Sequence, residues 1–524
     1  MRRSRSAVLG LIGAGLLLAS CSSTTTSGSS SSSTTASGST GSTGSTPGST
    51  PGGTTGTSRP GVTPKATAAT VAGPLTGGKG IFLGAASAGP DLDAHGYREA
   101  EYSASGTASS YKSAGELPPD GTFSLSPDAT ASYATRFVVR RPKEQKDFNG
   151  TVVVEWLNVS GGVDAAPDYT YVNAEILRKG YAWVGVSAQR IGIEGGPILV
   201  EVPGAAEQGA GKGIKAIDPA RYGQLSHPGD AFAYDIFTQV AQSLREPGSV
   251  SPLEGLDVQR VFAMGESQSA FTLTTYYDGV QPLTHEFDAF FIHSRGGTAA
   301  PLGTPGGGID VASSLQGKPT KLRTDQPIPA IVVETETDVT GLLSFYPARQ
   351  PDNDHLRIWE IAGTAHADAY QIGPTESMLG CPTPVNRGQQ YAVLRAALRG
   401  LQTWVTTGEA PPKGEPLATD GAGAKPGLVL DAVGNATGGV RTPVLDAPVD
   451  RLTGIAGEGA SVICLLLGTT TPLTAEQLAT LYTGQDDYVA KYGKATDAAI
   501  AAGFALAEDR DEILQGADPS RVEG

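Results

Sequence analysis

The chain predicts an α/β architecture, a mostly parallel central sheet flanked by helices, and three stretches carry that prediction. Residues 258–264 form a mainly apolar run, Gly265-Glu266-Ser267-Gln268-Ser269 follows as a tight turn, and residues 270–277 read as a helix. Thr151-Val152-Val153-Val154-Glu155-Trp156 is rich in β-branched residues and leads to the pair Gly161-Gly162. Residues 356–361 alternate with a period of two, as a strand does, whereas residues 391–404 carry apolar side chains at helical spacing. That helix is expected to pack on the sheet. A β-rich extension, with residues 131–140 as an edge strand, is expected before these elements and a subdomain after them.

The turn at Ser267 points to nucleophilic chemistry. A serine placed between a strand and a helix start is lifted clear of the backbone, beside the unpaired N–H groups that open the helix. The strict G-x-S-x-G pattern is absent, because Ser269 stands at the second glycine position. A serine there is small enough for strand and helix to pack closely. The relaxed pattern also matches Gly28-Ser29-Ser30-Ser31-Ser32, where no strand precedes, so the context carries the inference.

A serine hydroxyl at neutral pH needs a histidine to take its proton and a carboxylate to hold that histidine's tautomer. The chain has six histidines. Around such a turn the chain order is serine, acid, histidine. His95 and His227 precede the serine, and His285 and His293 flank the strand-like run 287–292, upstream of the next acids. These two read as structural or pocket-lining. His355 enters the strand at 356–361 and His366 leaves it in a small-residue loop, so His366 stands at the carboxyl end, where the turn also lies. A metal site on His366 and Asp368 is disfavoured, since no other His/Asp cluster has ligand spacing.

The acid should end the preceding strand. Residues 327–333 are of buried-strand type and run into Glu334, Glu336 and Asp338. Asp338 stands furthest past the strand and is the expected acid, with Glu336 the rival. An oxyanion hole takes one donor from the residue after the nucleophile, here the backbone N–H of Gln268, and a second from the loop after the third strand. Leu157, Asn158 and Val159 all lie in that loop; Asn158 is the central candidate.

These residues resemble the bacterial α/β-hydrolase domain-containing proteins, a large family whose members carry a Val-Glu-Trp-Leu-Asn-Val-Ser-Gly-Gly segment, here residues 154–162. Residues 180–189, Tyr234-Asp235-Ile236-Phe237, His293-Ser294-Arg295-Gly296-Gly297 and Gly438-Gly439-Val440-Arg441-Thr442-Pro443 are similar to the same family, so the resemblance covers roughly residues 73–520. It implies an α/β-hydrolase fold and a site at Ser267, Asp338 and His366. It implies no substrate, because the fold hosts many chemistries.

The amino-terminal end reads as an address. Met1-Arg2-Arg3-Ser4-Arg5, an apolar run over residues 7–18 and Leu18-Ala19-Ser20-Cys21 form a secretory signal with a bacterial lipoprotein box, and Cys21 is the expected lipidation site. The apolar run is shorter than the roughly 20 residues that a membrane span needs. The export route is left open. The expected organisation is a signal peptide at 1–20, a Ser/Thr/Gly-rich tether at 21–72, the β-rich extension at 73–148, the hydrolase core at 149–407 and the carboxyl-terminal subdomain at 408–524. A disordered tether of that length has a root-mean-square reach of roughly 40 Å. Within the core, the Gly-rich insertion at 195–224 lacks helical periodicity and is expected to overhang the site. Thr474 with Gln477 three residues on signals a capped helix in the tail.

Three cysteines occur, and setting Cys21 aside leaves Cys381 and Cys464, an even pair that oxidising surroundings would join. A formal net charge of −15 disfavours nucleic acid or bare anionic lipid as a partner. No phosphate loop or Cys-x-x-Cys pair calls for a cofactor. The leading expectation is a serine hydrolase of carboxylic esters, small or lipid-like, held by its lipid anchor on the outer face of the cell envelope. An acyltransferase with the same triad is the enzyme rival. A non-catalytic envelope-binding lipoprotein is the rival of another class.

Overall fold

The computed structural model describes residues 67–84, 89–421, 423, 425–457 and 459–523. The signal peptide, Cys21 and most of the tether lie outside the described residues. A nine-stranded sheet organises the rest, with strands β1 (Thr70–Ala72), β2 (Tyr97–Ser113), β3 (Leu125–Pro142), β4 (Thr151–Trp156), β5 (Ala182–Val186), β6 (Arg260–Glu266), β7 (Ala289–His293), β8 (Ala330–Thr335) and β9 (Leu356–Ile361). Their spatial order is β1-β2-β3-β5-β4-β6-β7-β8-β9. The run from β5 to β9 is parallel throughout, and β1, β2 and β3 join it antiparallel.

Alternation along the strands feeds two apolar layers. Val152, Val154 and Trp156 face the layer that includes Phe237, Leu273 and Phe290. Val153 and Leu157 face the opposite layer, with Tyr171 and Ile176 of the helix Pro167–Lys179 and Leu394 and Leu398 of the helix Gln390–Thr407. The strands are therefore buried on both sides, which is why they read as near-continuous apolar runs. The predicted helix at 391–404 is the second of those two helices, and it covers the sheet as expected.

The amino-terminal extension departs from expectation in two ways. It is part of the main sheet, and the stretch 131–140, read as an edge strand, lies inside it between β2 and β5. Phe137, Val138 and Val139 are fully buried, on both faces, as an interior strand requires. The extension also begins before residue 73. The Ala69 N–H donates to the Gln239 carbonyl at 3.0 Å, and Thr70, Val71 and Ala72 pair with β2.

The insertion at 195–224 contains two single-turn helices, Ile214–Ile217 and Pro219–Tyr222, where none was expected. The N–H groups of Leu199 and Val200 both donate to the Ser160 carbonyl, so this insertion lies against the loop after β4. The carboxyl-terminal region extends the edge of β9 through Val440, which exchanges backbone hydrogen bonds with Glu360 and Ala362. It then forms the ribbon β10 (Asp450–Thr453) and β11 (Thr469–Pro472), and Thr474 caps its helix reciprocally with Gln477. Cys381 and Cys464 are joined, with Cα atoms 5.5 Å apart, linking this region to the segment after His366. Among the described residues no helix is long and apolar enough to cross a membrane.

Candidate active site

Ser267 follows β6 and precedes the helix Gln268–Thr275 with φ 57° and ψ −122°. A positive φ at a non-glycine residue is strained, and strain of this kind persists only where surrounding structure fixes it. Two backbone bonds do so: the Ser267 N–H donates to the His293 carbonyl at 2.9 Å, and the Ser267 carbonyl accepts from Phe271 N–H at 3.1 Å. Close packing of strand and helix needs small residues. A Cβ on Gly265 would lie 3.0 Å from both Leu273 Cδ1 and Ser269 Cβ, so Gly265 and Ser269 share the space that two glycines otherwise provide.

The three residues expected to form the triad come together. His366 Nε2 is 2.8 Å from Ser267 Oγ, and His366 Nδ1 is 2.6 Å from Asp338 Oδ1. The backbone that carries the imidazole is held as well, because the main-chain N–H of His366 donates to Thr337 Oγ1 at 3.2 Å. Asp338 lies past the end of β8, as expected. It occupies the third position of the one-turn helix Glu336–Val339, capped by Thr335.

That helical turn separates the three carboxylates that share parity in the sequence. Asp338 Oδ2 accepts from Thr335 N–H at 2.7 Å, Thr335 Oγ1 at 2.6 Å and Ser294 Oγ at 2.7 Å, leaving Oδ1 for the histidine. Glu336 points elsewhere and accepts from the N–H groups of Gly363 and Gly454 and from Thr453 Oγ1. Glu334 is buried.

Electrostatics follow from these partners. Burial alone would raise the Asp338 carboxyl, but the charge of His366 and the bonds from His366, Thr335 and Ser294 outweigh it and hold the group below its ordinary range. His366 shows the converse. Burial works against its protonation, yet Asp338 and Glu266 together hold the imidazole above its ordinary value. Glu266, the residue before Ser267, has Oε1 3.2 Å from His366 Nε2. Burial pushes its carboxyl up to about 7, against the pull of His366 and His293.

The backbone N–H groups expected to serve an oxyanion hole differ in their partners. The Gln268 N–H opens its helix and so has no carbonyl one turn back. Asn158, the candidate for the second donor, gives its N–H to the Ala165 carbonyl at 2.9 Å, and its side-chain amide donates to the carbonyl and Oε2 of Glu266. Leu157 N–H is likewise committed, to the Val186 carbonyl. Val159 N–H instead meets a side-chain oxygen, Gln268 Oε1 at 3.2 Å. Only that acceptor can be displaced without breaking backbone pairing. Gln268 Nε2 is anchored on Gln189 Oε1, which also accepts from Trp156 Nε1.

Glu266, Ser294 and Gln189 were not legible as site residues. Glu266 is adjacent to the serine and so was open to notice; nothing local marks Ser294 or Gln189, which arrive through strand order. His293, read as structural or pocket-lining, is fully buried, with Nδ1 2.8 Å from Asp168 Oδ1. His366 and Asp368 do not share a partner: Asp368 caps a short helix and accepts from Tyr171.

A serine turn between strand and helix at the carboxyl end of a parallel sheet, with an acid and then a histidine following in chain order, is the arrangement of the α/β-hydrolase class. The chain belongs to the alpha/beta hydrolase domain family, whose model matches residues 71–515. No curated protein matches the chain. Among solved structures it is similar to a fungal esterase from Rhizomucor miehei, at 12% identity and TM-score 0.29, covering 57% of this chain and 84% of that one. A glucuronoyl esterase from Solibacter usitatus is similar at 12% identity and TM-score 0.24, with 58% and 82% covered. A thermostable esterase from Pseudomonas putida is similar at 13% identity and TM-score 0.25, with 50% and 69% covered. Likenesses this distant carry no argument about substrate.

Proposed function

We propose that the protein is a serine hydrolase that cleaves carboxylic esters through an acyl-enzyme. The observation that carries this reading is the continuous line from Ser267 Oγ through His366 to Asp338 Oδ1, with contacts of 2.8 and 2.6 Å. As Ser267 Oγ attacks the ester carbonyl carbon, its proton passes to His366 Nε2, and Asp338 stabilises the imidazolium from Nδ1. The oxyanion is held by Gln268 N–H and by Val159 N–H once Gln268 Oε1 has yielded its place. Collapse expels the alcohol, which takes the proton from Nε2. Water then repeats the sequence on the acyl-serine, with His366 as base and then acid, and releases the carboxylic acid.

The amino-terminal features support a place for this activity. Leu18-Ala19-Ser20-Cys21 fits lipidation at Cys21, and the tether that follows would hold the enzyme on the outer face of the cell envelope. The catalytic reading is tested by a fluorophosphonate probe followed by peptide mapping. The label is expected on Ser267, and Ser267→Ala should lower ester turnover by roughly 10⁴ to 10⁶ with the fold intact. A label on another serine overturns it.

A further inference from the structure

Glu266 sits where His366 Nε2 must exchange its proton. Its Oε1 is 3.2 Å from that nitrogen, while Ser267 Oγ is 2.8 Å from the same atom. The carboxyl is 4% exposed and is fixed by a second contact, since Asn158 Nδ2 donates to its Oε2 at 3.2 Å and to the Glu266 carbonyl at 3.1 Å. We propose that Glu266 is a positioning residue that shares His366 Nε2 with Ser267 and sets, through its own charge, the pH at which the imidazole can accept the serine proton. This rests on the triad reading above.

The groups around this carboxyl come from four other elements. His366 follows β9, His293 ends β7, Asp338 lies in the helical turn after β8, and Asp168 and Tyr171 belong to the helix Pro167–Lys179. His366 and His293 favour the ionised form of Glu266, whereas Asp168 and Asp338 oppose it. The balance puts the carboxyl at about 7, beside an imidazole that is itself held above its ordinary value. Two ionisable groups in contact in this way release their protons as a pair, in two macroscopic steps.

The consequence for the reaction has a definite sign. With one proton on the pair, that proton lies between Nε2 and Oε1, and Nε2 has no lone pair to offer Ser267. Acylation therefore waits for the second proton to leave, so the acid limb lies above that of a histidine paired with Asp338 alone. Once both protons are gone, the ionised Glu266 faces the Nε2–H that forms in the transition state and stabilises it. One residue thus raises the pH at which activity appears and raises the plateau.

The test is the pH dependence of kcat/KM for wild-type protein and Glu266→Gln, with fluorophosphonate mapping on both. In Glu266→Gln the acid limb is expected to move down by about 1 pH unit and the plateau to fall by about 10-fold. A merely structural role would lower the plateau and leave the limb in place, and that result overturns the proposal. A second readout uses the unaltered protein: the Nε2 resonance of His366 should titrate in two steps, and a single step refutes the sharing. If the probe labels a serine other than Ser267, the triad reading fails. If it labels Ser267 and the two acid limbs coincide, only the role of Glu266 fails.

Discussion

Ser294 Oγ donates to Asp338 Oδ2 at 2.7 Å, from a residue just past β7 whose φ is 54°. The bond fixes the acid from the neighbouring strand and divides its two oxygens between support and function. Oδ2 is saturated by Ser294 and Thr335, so Oδ1 alone can turn to His366. An acid held in this way stays ionised although it is fully buried.

Asp338→Asn should therefore cut turnover by about 10³ to 10⁴, because an amide at this position permits the wrong imidazole tautomer. Ser294→Ala should cost far less, about 10-fold, since Thr335 still holds Oδ2. Steady-state kinetics on the purified variants rank the two. Equal losses would show that Ser294 has a role beyond holding the acid.

How much of this could be seen in the sequence varies with how local the signal is. The turn at Ser267 and the strand ahead of it are local, and chain order then singles out His366 among six histidines. Asp338 was favoured by its distance past the strand, although the chain reaches it by a helical turn that parity arguments do not foresee. The stretch 131–140 was misplaced to an edge because alternation shows which residues face inward but not which strand lies alongside. The second oxyanion donor was out of reach for another reason: Asn158 and Val159 differ only in where their N–H groups point.

Glu336→Gln should leave turnover within a few-fold of wild type but weaken the fold. The carboxylate accepts from Gly363 N–H at 2.6 Å and from Gly454 N–H at 2.9 Å, and so ties the loop before His366 to the carboxyl-terminal region. An amide turns an NH₂ toward one of these donors. The loss of such a buried bond costs about 1–3 kcal/mol, which thermal denaturation should read as a lowered Tm. A catalytic loss larger than that of Asp338→Asn would make Glu336 the acid.

Stability should be greatest in mild acid. Burial raises Glu266, Glu336 and Asp368 to about 7, from ordinary values of 4.5, 4.5 and 3.8. A carboxyl whose folded value lies above its unfolded value binds more protons when folded, so its contribution is complete below the unfolded value and is lost as pH rises through the folded one. Asp338, held low, acts in the opposite sense at a lower pH, and His293, pushed down by burial to about 4, acts with the lowered His227 in the opposite sense inside the window, where the three raised carboxyls outweigh them. Tm is thus expected to fall between about pH 4.5 and pH 7, and a rise over that window would contradict these assignments.

The joined cysteines should survive extraction under oxidising conditions. Alkylation of the denatured, unreduced protein is expected to leave both Cys381 and Cys464 unmodified. Their separation of 83 residues closes a long loop, so the bond should stabilise the fold by about 3–5 kcal/mol. Reduction should then lower Tm, and two alkylated thiols before reduction would refute the link.

Ser269 and Gly265 give opposed expectations at the nucleophile turn. Ser269 is fully buried, and its hydroxyl has no hydrogen-bond partner among the described residues. Ser269→Ala removes that unsatisfied group, keeps the Cβ that already fits against the strand, and places a better helix former in the first turn of the helix Gln268–Thr275. It should raise stability by about 1 kcal/mol and leave turnover unchanged. Gly265→Ala adds a Cβ 3.0 Å from Leu273 Cδ1 and Ser269 Cβ, and the helix must retreat from the strand to admit it. That retreat carries the helix start, and with it Ser267 Oγ and the Gln268 N–H, away from His366. The cost should be about 1–3 kcal/mol in stability. Turnover should fall by about 10² at temperatures where the variant is still folded, since a shift of this size misplaces the reacting atom. Denaturation curves and kcat/KM on both variants test the pair. A Gly265→Ala protein with full activity would show that the close contact at this turn does not set the position of the serine.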